Sequence, residues 1–176
     1  MLGGIKLKNC KRKGLLGILS VVVIILIIFA GYKIREYNIL KDVFLFSKDN
    51  VVSIWKLEKG QDTYDYNYKL GINEIDFLSD ILSSSKLKKA TINDSPSSAL
   101  GSMTILLDGK QIEENGDINF QFKRSITLTP IDNHSVYVFL EINKPIDDGS
   151  FNMKTVMQKS YIINSEKLVA SMSGRF

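Results

Sequence analysis

The hydrophobic pattern divides the chain into one long apolar stretch and a longer region in which apolar and polar positions alternate. Residues 14–32 (GLLGILSVVVIILIIFAGY) are uncharged and have no polar stripe, whereas a helix in water shows one polar face. At about 1.5 Å per residue this stretch forms a helix of roughly 28 Å, close to the thickness of the hydrocarbon core of a bilayer. The pattern therefore predicts a transmembrane helix over residues 14–32, with the lipid bilayer as its partner.

The helical spacing continues beyond this stretch. Apolar residues recur at Ile34, Tyr37 and Leu40, and the polar run at residues 47–50 is typical of a turn. Residues 33–50 are therefore predicted to form a juxtamembrane stalk that begins as a helix and ends in that turn, with a short tether as the alternative.

From residue 51 onward the dominant period is two, which is typical of half-buried strands. The alternation is clearest at residues 63–70, where three tyrosines and Leu70 share one face. Asp108-Gly109 is a strong signal for a two-residue turn that ends a strand at Leu107. About eight strands are expected, over residues 51–58, 63–70, 86–92, 103–107, 118–130, 136–142, 153–164 and 167–173.

One segment of this region has helical spacing instead. Ile75, Leu78 and Leu82 line one face of a three-turn helix, and Asn73 precedes it as a favourable N-cap residue. The predicted fold class is α+β: an N-terminal transmembrane helix followed by a mainly antiparallel β-sheet domain with one packed helix. This domain is expected to occupy residues 51–176.

Charge is distributed unevenly and indicates how the predicted helix lies in the membrane. The chain has 23 Lys and Arg against 19 Asp and Glu, yet residues 1–35 contain seven bases and no acid. The remainder has 16 bases and 19 acids, a net charge of −3, which argues against a nucleic-acid partner because phosphate contacts need a basic surface. Five bases lie in residues 1–13, so the positive-inside rule predicts a basic cytoplasmic N-terminus and an extracytoplasmic domain.

A cleaved signal peptide and a lipoprotein are the two alternatives to an uncleaved anchor. Cleavage after Ala30 or Gly31 places the bulky Ile28 or Phe29 at position −3, where signal-peptide cleavage sites have small residues. A lipoprotein carries its lipidated cysteine after the apolar run, but Cys10 precedes it. Both observations favour a single-pass anchor in the cell membrane.

Few residues are available for catalysis or metal binding. One Cys and one His exclude a disulfide framework and the common Cys/His zinc sites. His134 lies in a polar stretch typical of an exposed loop, and no motif supplies a nucleophile beside it. The acidic groups Asp147-Asp148 and Glu113-Glu114 with Asp117 do not have the spacing of a calcium-binding loop, and turn chemistry explains acids beside glycine. We therefore predict a protein that is not an enzyme, with no catalytic residue, cofactor or metal site.

The tyrosines of residues 63–70 are the one surface candidate. Tyr64, Tyr66 and Tyr68, with Trp55 nearby, are suited to stacking on a glycan or an envelope protein. Tyrosine is also a common strand residue, and the pattern favours a structural role in which Tyr66 is buried at the strand centre. For that reason the sequence assigns no binding residue.

The order of elements from Val51 to Leu107 carries a resemblance. A strand (VVSIWKLE), a polar hairpin, a second strand, an N-capped helix (NEIDFLSDILSSS), a basic strand (KLKKATI) and a strand ending in Asp-Gly follow one another. This order resembles small membrane-anchored exported proteins of low-GC Gram-positive bacteria, grouped in families of unknown function. Such a resemblance implies an envelope location but no activity and no site residues.

A second resemblance concerns the start of the apolar run. Lys11-Arg12-Lys13-Gly14 resembles the leader of a type IV prepilin. Two positions differ from the usual pilin pattern: Leu15 stands where pilins have Phe or Met, and Leu19 stands where they have Glu.

The function expected from the anchor and the missing catalytic motifs is a non-catalytic binding, sensing or accessory module of the cell envelope. The alternatives are a minor pilin-like filament subunit and an envelope enzyme without a recognisable motif.

Overall fold

A computed structural model describes residues 4–91, 94, 96, 101–114, 117–146 and 152–173 of the chain. It divides into two compact units, Met1–Val43 and Phe44–Phe176. Almost all of the first unit is helical, and the second contains the whole β-sheet.

The first unit is built on helix α1 (Gly4–Phe44). This helix continues without a break through residues 33–44, the first part of the predicted stalk. Its apolar side chains described between Ile18 and Ile34 are exposed; for example, Ile27 retains 64% of its accessible surface and Phe29 retains 59%. Within the described part of the chain, no helix offers an apolar stretch long enough to count as a membrane span.

The second unit is an α+β domain around an antiparallel sheet. Its strands are β1 (Val51–Leu57), β2 (Lys88–Lys89), β3 (Ser102–Glu114), β4 (Asp117–Pro130), β5 (Ser135–Pro145) and β6 (Met153–Asn164). Across the six-stranded sheet they follow the order β1-β3-β4-β5-β6-β2. Strands β3 to β6 follow one another as a meander, because each pairs with the next along the chain. This confirms the predicted α+β class and the mainly antiparallel sheet.

The two faces of the sheet differ in chemistry because side chains alternate along each strand. The register places buried apolar residues opposite one another on the first face: Ile54, Ile105, Ile126 and Leu140 form one such row. The neighbouring row on the second face is mixed, consisting of Trp55, Thr104, Thr127, Phe139 and Ser160. The first face is therefore the core side of the sheet.

Two helices bury apolar faces in this unit, α2 (Ile72–Ser84) and α3 (Glu166–Met172). Leu78 and Leu82 of α2 and Leu168 of α3 are almost completely buried, which confirms the predicted apolar face of α2. Helix α3 contacts β5 and α2 contacts α3, so the helices and the first face of the sheet share one core.

The prediction of a strand at residues 63–70 is wrong. Its only ladder-like pairing is an isolated bridge between Lys56 and Asp65. The carboxylate of Asp65 accepts a hydrogen bond of 3.0 Å from the backbone N–H of Asn67, and such a local bond favours a turn over an extended strand. Period-two spacing alone therefore did not produce a strand here.

Three further predictions are corrected by the structure. Helix α2 has Gly71, not Asn73, as its N-cap, and the Glu74 carboxylate accepts the Gly71 N–H at 2.5 Å. Strand β3 continues through Asp108-Gly109 instead of turning there. Residues 167–173 are not a strand: nearly all of them belong to α3, because the Ser165 side chain caps the backbone N–H of Leu168 and starts a helix.

Candidate functional site

A cleft lined by aromatic and amide side chains lies beside the edge strand β1. It has a volume of about 490 Å³ and is lined by Trp55, Tyr66, Asn67, Ile118, Asn119 and Phe120. We call this set of six residues the aromatic cleft. Tyr66 is 52% exposed and Ile118 is 53% exposed, so apolar surface is open to solvent at this site. Large apolar side chains that stay exposed together are a common mark of a binding surface.

The rings of the aromatic cleft form a contiguous row that extends to a fourth ring. Trp55 packs edge-to-face with Tyr66 at a centroid distance of 5.3 Å and with Phe120 at 5.7 Å. Tyr64 extends the row beyond Tyr66, with centroids 6.0 Å apart and ring planes tilted by 34°. These contacts fix the rings against one another, so the row does not depend on a ligand to assemble it.

Phe120 reaches this row only because the β3–β4 hairpin bends. Trp55 pairs with Thr104 in the sheet register, whereas Phe120 pairs with Gln111, seven residues further along β3. At about 3.3 Å per residue this offset amounts to roughly 23 Å along a straight strand. Since the two ring centroids lie 5.7 Å apart, the outer part of the hairpin bends back over β1.

The bend coincides with Asp108 and Gly109. Asp108 has a φ of 57°, a conformation that few residues other than glycine adopt, and a Cβ on Gly109 would overlap the backbone carbonyl of Gln121. The Asp108 carboxylate accepts hydrogen bonds from the Arg124 guanidinium and from the Asn50 amide, the latter at 3.1 Å. The close backbone approach and these side-chain bonds together hold the bent hairpin.

A separate set of hydrogen bonds holds the other wall of the aromatic cleft. The Trp55 indole N–H donates to Ser53 Oγ at 3.1 Å, and Ser53 Oγ donates to the Tyr66 carbonyl at 3.2 Å. The backbone groups of Lys56 and Asp65 exchange two hydrogen bonds of 2.9 and 2.8 Å. Segment 63–70 is thereby fastened to β1 although it forms no strand.

The structure separates the three tyrosines that the sequence grouped together. Tyr64 and Tyr66 belong to the row of rings, but Tyr68 is half-buried, with the Lys56 ammonium 4.6 Å from its ring centroid. The expectation that Tyr66 is buried is wrong, because the segment leaves the sheet and turns this ring to solvent. Trp55 lies next to Tyr66, as its place in the sequence suggested.

Sequence reasoning missed the hairpin side of the site. Ile118 and Phe120 alternate in step with the core residues Ile126 and Leu128, so the period of two alone places all four on one face of β4. Only the latter two are fully buried, since the bend carries the outer part of the hairpin away from the core. No local pattern marks Asn119, whose amide becomes a polar group of the cleft.

His134 is exposed at the turn between β4 and β5, as predicted, and its Nδ1 lies 2.7 Å from Glu166 Oε1. The nearby backbone N–H of His134 donates to the Asp132 carboxylate at 2.7 Å, which holds the pKa of Asp132 below its usual value. Neither His134 nor Asp132 lines the aromatic cleft. The chemistry of this turn is therefore separate from the cleft.

The structure describes only some of the acidic residues that the sequence offered as calcium ligands. Asp147 and Asp148 lie outside the described residues, as does the side chain of Glu114. Among the residues that are described, no cluster of three or more His, Cys, Asp or Glu side chains has the arrangement of a metal site.

No protein-family model, curated protein sequence or solved structure matches the chain.

Proposed function

We propose that the protein is a single-pass membrane protein whose C-terminal unit is an extracytoplasmic, non-catalytic binding module of the cell envelope. The anchor is inferred from the uncharged apolar residues 14–32 and from the basic residues that precede them. The exposure of the apolar side chains of α1 between residues 18 and 34 supports it, since a helix with such a surface needs an apolar surrounding.

The aromatic cleft carries the binding part of this proposal. Its rings are held by mutual contacts and by backbone hydrogen bonds, yet Tyr66 and Ile118 keep about half of their surface open to solvent. A folded domain gains nothing in stability from exposed apolar surface, so a preformed apolar cleft favours a contact role. None of its six lining residues is charged, and the one nucleophilic side chain among them, the Tyr66 phenol, has no base in the lining to activate it, which favours binding over catalysis.

A filament subunit is a second candidate, favoured by the continuity of α1. A pilin-like protein requires one unbroken N-terminal helix followed by an antiparallel sheet, and α1 runs from Gly4 to Phe44 ahead of such a sheet. The two candidates differ in processing, because a prepilin is cut after its leader glycine, here Gly14. Intact-mass measurement of the membrane-extracted protein separates them: an uncut N-terminus supports the anchored module.

Co-sedimentation with insoluble envelope material tests the binding role. The full chain in detergent should pellet with washed envelope fragments, and the Tyr66→Ala variant should lose most of this binding because its ring forms one wall of the cleft. Tyr68→Ala is the matched control, since it removes the same kind of ring outside the cleft lining. Equal pelleting of all three proteins would contradict the aromatic cleft as the contact surface.

A further inference from the structure

Building on the proposed binding function, we propose that the ligand of the aromatic cleft is a neutral glycan chain. The six lining residues supply aromatic rings, one aliphatic side chain and two carboxamides, and no charge. Sugar rings present an apolar C–H face that stacks on aromatic rings, and hydroxyl or acetamido groups around the rim that pair with amides. The cleft has both kinds of group side by side.

The uncharged lining of the cleft favours a neutral ligand over an ionic one. A phosphorylated or carboxylated polymer needs Lys or Arg at the contact, and a cationic ligand is usually met by a carboxylate as well as by rings. The nearest base in sequence, Lys56, has its ammonium over the ring of Tyr68, which is outside the cleft. A neutral ligand is therefore the best match to this lining.

The length of the aromatic row favours a chain over a single sugar. Tyr64, Tyr66, Trp55 and Phe120 follow one another at centroid spacings of 6.0, 5.3 and 5.7 Å. These spacings are similar to the repeat of linked pyranose rings. Because the Trp55 ring stands at 80° to Tyr66 and at 69° to Phe120, a chain would stack on the face of one ring and lie against the edges of its neighbours. A monosaccharide would cover only part of this row.

A peptide is the competing ligand, and the edge of β1 argues against its usual mode of binding. An extended peptide adds to a sheet through main-chain hydrogen bonds at a free strand edge. Beside the cleft this edge is occupied, because Lys56 exchanges both backbone hydrogen bonds with Asp65. The cleft is thus left to ligands that bind through side-chain stacking and amide hydrogen bonds.

Fluorescence of Trp55 provides a direct test because it is the only tryptophan of the chain. The full-length protein in lipid nanodiscs is titrated with two neutral probes, cellotetraose and the tetramer of N-acetylglucosamine. We expect a saturable change in emission with at least one tetramer and weaker binding of the corresponding monosaccharide. Tyr66→Ala should weaken binding about tenfold, equivalent to about 1.4 kcal/mol, whereas Tyr66→Phe should retain it because the ring is kept.

Three controls distinguish the possible outcomes. Thermal unfolding shows whether Tyr66→Ala folds, and Asn119→Ala offers a second variant at the polar rim, which should weaken binding while leaving the rings in place. A mixture of uncharged peptides is titrated in parallel. Peptide binding that depends on Tyr66, with no response to either tetramer, would overturn the glycan and retain the binding module. No response to any probe would overturn both.

Discussion

Replacing Leu78 with alanine will lower the free energy of unfolding of the C-terminal unit by about 2–5 kcal/mol, the range for large-to-small substitutions in a core. Leu78 retains 1% of its accessible surface and lies on the buried face of α2. Removing its side chain leaves a cavity that neither the helix nor the sheet can fill without moving. Urea unfolding of the full chain in detergent, followed by Trp55 emission, measures this loss.

Ile72→Ala is the matched control for this experiment. Ile72 lies on the same helix but is 54% exposed, so its truncation removes little buried surface and should cost less than about 0.5 kcal/mol. A loss for Leu78→Ala as small as that of the control would show that α2 does not pack against the core as described.

Gly109→Ala will disrupt the bend of the β3–β4 hairpin. The added methyl would overlap the carbonyl of Gln121, and because that atom belongs to the paired strand, the backbone itself has to shift. Overpacking of this kind costs about 1–3 kcal/mol or more. Since the bend carries Phe120 to Trp55, the emission of Trp55 should move to longer wavelength as the indole gains contact with water.

Gly31→Ala adds the same methyl group at a position where nothing lies within 4 Å. It should leave the free energy of unfolding of the C-terminal unit and the emission of Trp55 unchanged. If Gly109→Ala also left them unchanged, the hairpin would not depend on the close approach at this glycine. Asp108→Ala tests the bend in a second way. It removes the carboxylate that accepts hydrogen bonds from Arg124 and Asn50, and it adds no atom to the hairpin.

Much of the sheet could be predicted because its strands alternate over many residues. The segments around β1, β4, β5 and β6 were all expected, and so was the buried face of α2, where three apolar residues share one helical stripe. In these elements the local pattern and the tertiary packing agree, so the sequence alone is informative.

The secondary-structure predictions failed where a short sequence pattern is compatible with two kinds of local structure. Residues 167–173 form a segment so short that it matches both the strand period and the helix period. The N-cap formed by Ser165 favours the helix. Asp108-Gly109 is typical of a hairpin turn, but here the pair lies inside a long strand. At this point Asp108 has a left-handed backbone and Gly109 leaves room for the close approach of Gln121, and the strand bends instead of turning.

The aromatic cleft could be predicted only in part. Trp55 and the tyrosines were singled out together because they are close in sequence. Phe120 and Asn119 join them through a bend in a hairpin that begins more than forty residues after Trp55, and no local periodicity contains that information. Tyr66 faces solvent because residues 63–70 do not pair as a strand, and the local pattern did not contain that information either.

The central claim, an anchored protein that presents the aromatic cleft outside the membrane, is tested most directly by cysteine labelling in intact cells. Cys10 is the only cysteine, and Tyr64 is 37% exposed at the end of the aromatic row. A membrane-impermeant maleimide should label the Tyr64→Cys variant, made in a Cys10→Ser background, before permeabilisation. It should label Cys10 of the unmodified chain only afterwards. Labelling of Cys10 in intact cells, with Tyr64→Cys reacting only after permeabilisation, would contradict the account.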